Sequence, residues 1–237
     1  MDFHVYHDAG DSKFNSIYLP IGPGLGFQFV EESEIKEASD RRYLFNMISS
    51  LETHNGRMTT INAALNWRRQ GDCGFIYATQ SWSREYWLKP GLQEMVQECP
   101  FAGSQRSDGI AAEHLAPSQY RDALLDSVFT LSPPGHNLEC FRIWEAAEAG
   151  SIPVVIDLPN GSVMENACRD SLGIIRDAPF VFVNSLEEAH RIMKSQVKEQ
   201  LDKWARSVRD WYVTFMKKTM RQVEAVFMEK LRGLGKA

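Results

Sequence analysis

Residues 128–156 constrain the fold more than any other part of the chain. Val128-Phe-Thr-Leu131 is a short run of β-favouring residues, and Ser132-Pro-Pro-Gly-His-Asn137 is built from turn formers. Leu138–Ala149 carries helical spacing, and Ile152-Pro-Val-Val-Ile156 is a second apolar run. Gly150 falls at the position after the helix where a left-handed backbone residue closes the last turn. Strand, loop, helix, strand in so short a span is a βαβ unit. Parallel strands joined by helical crossovers must bury both faces of their sheet. The predicted fold class is therefore α/β: a Rossmann-like parallel sheet flanked by helices.

The rest of the chain extends this pattern. Tyr43-Leu-Phe-Asn-Met-Ile48, Phe75-Ile-Tyr-Ala78 and Phe180-Val-Phe-Val183 read as further strands. A helix is predicted over Met58–Gln70 with Gly71 as its stop, and a shorter one over Ser118–Asp126 with Ser118 as its cap. Tyr18–Gly26 packs two prolines and three glycines into nine residues, which suits a loop or a crossing segment. Ser185-Leu-Glu-Glu188 is a capping box. It opens an amphipathic run through Leu186, Met193, Leu201, Trp204, Val208, Trp211 and Phe215, whose aromatics read as packing surface. That run is long for one helix, and a break is expected near Val208–Asp210. Three regions follow: an irregular crossing segment over 1–40, a Rossmann-like domain over 41–184, and amphipathic helices over 185–237.

Composition excludes several classes. With 43% hydrophobic and 24% charged residues the chain is ordinary globular material. No apolar run reaches the ~18 residues of a membrane span, and no secretory leader is visible at the start. A net charge of −5 argues against nucleic acid as a partner. The balance is uneven, with twelve Lys/Arg against seven Asp/Glu in residues 185–237, which reads as a solvated helix face or as a surface for an acidic partner. Cys73, Cys99, Cys140 and Cys168 lack metal-ligand spacing and are too scattered for a disulfide scaffold.

The candidate chemistry lies where the first strand of the βαβ unit meets its helix. In open parallel sheets, ligands bind beyond the carboxyl ends of the strands. A helix N-terminus offers unpaired N–H groups and a positive dipole end to a diphosphate. Gly135 lets backbone approach closely, and Arg142 supplies a planar fork for phosphate oxygens. Glu145 shares the Arg142 face and can accept two ribose hydroxyls, while Glu139 can orient the guanidinium or reach the ligand. A plain helix-surface ion pair between Arg142 and Glu139 or Glu145 is the competing reading. His7-Asp8 has the make-up of a base and its orienting partner.

These residues carry a family resemblance. Val128-Phe-Thr-Leu-Ser-Pro-Pro-Gly135, Phe141-Arg142, Trp144-Glu145-Ala146 and Ala149-Gly-Ser-Ile-Pro-Val-Val155 resemble the donor-binding signature of exostosin-like glycosyltransferases, with Ser151 in place of the common Cys. The run from Pro134 to Glu145, together with Leu19-Pro-Ile-Gly-Pro23 and Arg42–Ser49, is most similar to the ribitol-phosphate xylosyltransferase branch. The resemblance implies a GT-B architecture in which two Rossmann-like domains face each other and the C-terminal one holds a UDP-sugar. It implies that Arg142 holds the diphosphate and Glu145 the ribose, and that Gly135, His136 and Asn137 line the phosphate or sugar. Arg57 would be a second phosphate-binding residue, with an exposed arginine opening a helix as the equal alternative. No Asp-x-Asp occurs, so no metal or other cofactor is expected, with arginine and helix dipole stabilising the departing diphosphate instead; the transfer is expected to be inverting. The partners would be a nucleotide-sugar donor and a glycan or glycoprotein acceptor, in the Golgi lumen where the family works. The first domain would be missing or supplied by a partner chain. The alternative is a nucleotide-sugar-binding module without turnover.

Overall fold

The computed structural model describes residues 3–4, 17–18, 20–51, 55–79, 115–135, 138–158, 175 and 177–234. Five strands form the main sheet: β3 (Tyr43–Ser50), β4 (Gly74–Thr79), β5 (Ser127–Ser132), β6 (Ile152–Ile156) and β7 (Val181–Val183). Their order is β4-β3-β5-β6-β7, and every pairing is parallel. A separate two-residue pairing joins β1 (Phe3–His4) to β2 (Ile17–Tyr18). The helices are α1 (Asn55–Arg69), α2 (Pro117–Leu125), α3 (Phe141–Glu148), α4 (Leu186–Lys194) and α5 (Lys198–Leu234). α1 packs on β3 and β4 and touches α4, while α3 packs on β5 and β6 and touches α5.

The sheet is covered on both faces. Phe45, Met47, Phe129, Leu131, Val154 and Ile156 are fully enclosed on one face, and Ile48, Val128 and Val155 are buried on the other. Three polar side chains enter this core as a chain. Asn46 Nδ2 donates to Thr130 Oγ1 over 2.8 Å, and Thr130 Oγ1 lies 2.7 Å from Ser151 Oγ. Ser151 also reaches the Val128 carbonyl at 3.4 Å. A hydroxyl, a better hydrogen-bonding group than a thiol, is thus put to use at the position where the resembling family commonly has Cys. Gly74 is equally constrained, because a Cβ there would lie 2.2 Å from Cζ of Phe45.

Four helix boundaries differ from the sequence expectation. α1 begins at Asn55, not Met58, which takes Arg57 into its first turn. α2 begins at Pro117 behind Ala116, not behind a Ser118 cap. Proline suits the first helical position, where its missing N–H costs nothing. α3 begins at Phe141, not Leu138; Leu138 is buried in the loop instead. The C-terminal break falls at Ser195–Val197, and α5 runs unbroken past Val208–Asp210. Ser195 Oγ and Gln196 Nε2 both donate to the Ile192 carbonyl, and such local bonds compete with helix continuation. Ser185 caps α4 as expected, accepting from Glu188 N at 3.1 Å.

The aromatic run packs as read from the sequence. Trp144 of α3, fully buried, stacks against Trp211 and Phe215 of α5 at ring separations of 6.3 and 5.5 Å. Leu201, Ala205, Val208 and Tyr212 close the same interface. Past Thr219 the helix exposes Met220, Phe227, Met228 and Leu231. No described helix is long and apolar enough to cross a membrane.

At the amino ends of β3 and β5, Arg41 is buried among carbonyl oxygens. It donates to Ser127 O (2.9 Å), Ala149 O (3.0 Å), Leu124 O (3.4 Å) and, through two nitrogens, Lys36 O (3.0 and 3.3 Å). Burial lowers its pKa to about 10 against the pull of Asp126, Glu37 and Asp202. Gly150, at φ +66°, closes α3 beside it.

Candidate functional site

In this strand order the direction of winding reverses between β3 and β5. The connection from β3 leads to β4 on one side, and the next strand returns to pair on the other. The carboxyl ends of these two strands, Ser50 and Ser132, flank the crevice where open α/β sheets bind ligands.

Arg57 spans this crevice. It lies in the first turn of α1 and is 3% exposed, which settles the exposed-arginine alternative against exposure. Nη1 donates to Ser50 O and Ser50 Oγ, each at 3.0 Å, and Nε donates to Pro134 O at 3.0 Å. One guanidinium thus ties the end of β3 to the loop after β5. Gly135 makes this contact possible, because a Cβ there would sit 2.7 Å from Arg57 Nη2.

Arg142, 7% exposed in the first turn of α3, faces the same crevice. It makes no ion pair with Glu139, Glu145 or any other described carboxylate. Its Nη1 lies 4.0 Å from Cys140 Sγ, and its Nε is buried without a hydrogen-bond partner. Burial first, and then repulsion from Arg142, lower the Arg57 pKa to about 10. Two enclosed guanidiniums therefore act on one another, and neither is ion-paired with a carboxylate among the described residues. At the same place, the N-terminus of α3 follows Cys140, which makes no side-chain cap. Like charges held together out of water, beside the positive end of a helix, form a seat for an anion.

The two glutamates are engaged elsewhere. Glu145 Oε1 accepts Gly24 N–H at 2.9 Å, and Oε2 accepts the Tyr120 hydroxyl. Glu139 Oε1 accepts Ile21 N–H at 3.0 Å and Trp144 Nε1–H at 2.9 Å. The Pro/Gly-rich segment over 20–26 is thus fastened across α3 by two carboxylates. Gly24 fits because a Cβ would come within 3.1 Å of Glu145 Oε1. Burial, and then the Glu145 charge, raise the Tyr120 pKa well above the usual tyrosine value, so the hydroxyl remains a donor.

The crevice brings together Arg57, Gly135 and Arg142, while Glu139 and Glu145 hold the backbone of the segment over 20–26. His136, Asn137 and the His7-Asp8 pair lie outside the described residues. Sequence reasoning passed over Ser50, Tyr120 and Gly24 as parts of the site. Only Gly24 carried a signal, its place in the Pro/Gly-rich stretch. Cys140 is the free cysteine among the described residues, whereas Cys73 is disulfide-bonded.

Comparison with known proteins gives these residues a family context. The family model "RXYLT1 C-terminal domain" matches residues 63–231. Ribitol-5-phosphate xylosyltransferase 1 of Danio rerio is 28% identical over 220 residues, covering 90% of this chain and 44% of that protein. The Homo sapiens protein of the same name is 27% identical over 225 residues, covering 90% and 44%, and the Mus musculus protein 25% over 201 residues, covering 82% and 39%. The chain spans less than half the length of the relatives it matches. The family-model match, which runs over most of its length, places the chain in the RXYLT1 C-terminal domain family.

Proposed function

We propose that the chain is the donor-binding half of a GT-B xylosyltransferase. In this reading it holds UDP-xylose for transfer to a glycan acceptor, with inversion and without a metal. The observation that carries it is the pair of buried guanidiniums, Arg57 and Arg142, neither of them ion-paired among the described residues, beside the start of α3, which has no side-chain cap. A diphosphate supplies the missing negative charge. As the glycosidic bond breaks, charge grows on the leaving UDP, and donors already in place stabilise it with no reorganisation. Arg57 is held by three hydrogen bonds and leaves Nη2 turned toward Gly135. Arg142 adds a second buried charge beside it.

Each Glu145 oxygen keeps a lone pair beyond its present bond, so it can still accept ribose hydroxyls. Its engagement by Gly24 and Tyr120 fixes its direction. Glu139 and Glu145 are both committed to donors, so neither is placed as the base that takes the acceptor's proton. Work in an oxidising secretory compartment, such as the Golgi lumen, agrees with the disulfide at Cys73. A second reading is donor binding without turnover.

Calorimetry with UDP, UDP-xylose and UDP-glucuronate tests the proposal. UDP binding is expected, with UDP-xylose bound at least as tightly. Absence of heat with every UDP ligand in a folded sample overturns the donor reading. Binding without hydrolysis or transfer selects the second reading.

A further inference from the structure

Cys140 is half-buried at the residue where α3 begins, and its thiol is free. It lies within the anion seat itself. Arg142 Nη1 is 4.0 Å from its sulfur. The Arg142 side chain is more than nine-tenths buried, and its Nε has no partner. Arg57, fastened to Ser50 and Pro134, is within electrostatic reach of the same sulfur. The most nucleophilic atom type in the chain thus sits where two cations draw in anionic molecules.

We propose that Cys140 is a covalent modification site in this seat. It takes anionic sulfur electrophiles, of which a carboxylate-bearing low-molecular-weight disulfide such as glutathione disulfide is the natural class, and its modification closes the seat to the donor. The step is a thiol–disulfide exchange. Cys140 Sγ attacks one sulfur of the small disulfide, a new S–S bond forms, the old one breaks, and the released thiol carries away the proton. The small disulfide is itself the oxidant, so nothing else is consumed. The attached group then occupies the space beside Arg142. The closing effect rests on the donor reading; the modification does not.

A half-buried structural cysteine would react without regard to the charge of the reagent. Clefts lined by one sign of charge raise local counter-ion concentration by roughly 10- to 1,000-fold, so reagent charge is the discriminating variable. The folded full chain is treated with iodoacetate (anionic) or iodoacetamide (neutral), and labelling at Cys140 is followed by peptide mass mapping. The iodoacetate-to-iodoacetamide rate ratio is expected to exceed that of free glutathione about tenfold. It is expected to fall toward the free-thiol value in Arg142→Met. It should fall likewise for the unchanged chain when ionic strength is raised to about 0.5 M, a control that holds even where the variant fails to fold. A ratio equal to that of free glutathione overturns the proposal. UDP at saturation is expected to slow the labelling, and the glutathione mixed disulfide to abolish the UDP-induced thermal shift. A strong anionic preference with no UDP protection keeps the modification site and overturns the donor reading. UDP binding without an anionic preference does the reverse.

Discussion

Replacing Arg142 by methionine should make the unliganded protein more stable and the donor complex weaker. Methionine keeps an unbranched stem of similar reach and removes the charge. What the folded state loses is small: a 4.0 Å contact to Cys140 Sγ and no ion pair among the described residues. What it sheds is larger. The Arg142 Nε is buried without a partner, and such a group costs about 1–3 kcal/mol. Repulsion with Arg57, visible in the lowered pKa of that residue, goes as well. The expected gain is about 1–3 kcal/mol. At about 2–4 °C per kcal/mol for a chain of this size, Tm should rise by roughly 2–12 °C. UDP loses charge-assisted hydrogen bonds worth about 1.5–3 kcal/mol, so Kd should rise roughly 10- to 150-fold. At a UDP concentration of about 100 Kd the unchanged protein gains ~2.7 kcal/mol from ligand, and a variant bound about 30-fold more weakly gains ~0.9 kcal/mol. Calorimetric melting of both proteins with and without UDP reads all of these quantities together. A lower Tm for Arg142→Met, with its UDP-induced shift intact, would show that the guanidinium is a structural strut and refute the reasoning.

Gly135→Ala should weaken UDP binding at least tenfold with little loss of stability, since the new Cβ meets only the tip of Arg57 at 2.7 Å; equal affinity by calorimetry would count against Arg57 as a phosphate ligand. Gly74→Ala should destabilise by about 1–3 kcal/mol through overpacking against the Phe45 ring, measured by urea unfolding; an unchanged midpoint would show that the ring can move. Burial, and then Glu148, raise the pKa of Tyr212, so its neutral form is favoured by folding. Its contribution is complete below pH ~10, the unfolded value, and is lost as pH climbs toward the folded value. Tyr212→Phe should therefore flatten the loss of stability above pH ~10; alkaline titration curves of identical slope would remove Tyr212 from that loss. Arg41 and Arg57 act oppositely. Their folded pKa near 10 lies below the unfolded value, so protons leave the folded state first, and stability from these two groups rises between pH 10 and the normal arginine range.

How much of this was legible in the sequence depends on the range of each interaction. The βαβ core was readable because its evidence is local: apolar runs two or more residues wide, turn formers between them, and Gly150 where a left-handed residue is needed. The start of α3 was misplaced because Leu138 is apolar and buried whether it lies in a helix or a loop, and periodicity does not separate the two. Arg57 looked ambiguous because two of its three partners are backbone oxygens, one of them 77 residues away. Backbone atoms carry no sequence signature. Glu139 and Glu145 show the same limit: the donors that engage them on the crossing segment, Ile21 N–H and Gly24 N–H, are 118 and 121 residues distant. Residue types announced an anion site, but which carboxylates were already committed is a property of the folded chain.

Arg41 has a consequence for how the molecule comes apart. A single side chain satisfies carbonyls belonging to the tail of α2, the first residue of β5, the close of α3 and the turn at Lys36. None of these can fray alone without stranding a buried cation. Their amide hydrogens should therefore exchange with solvent in one shared opening event rather than in a graded series. This would couple the end of α3, whose other end bears the anion seat, to the opposite rim of the sheet.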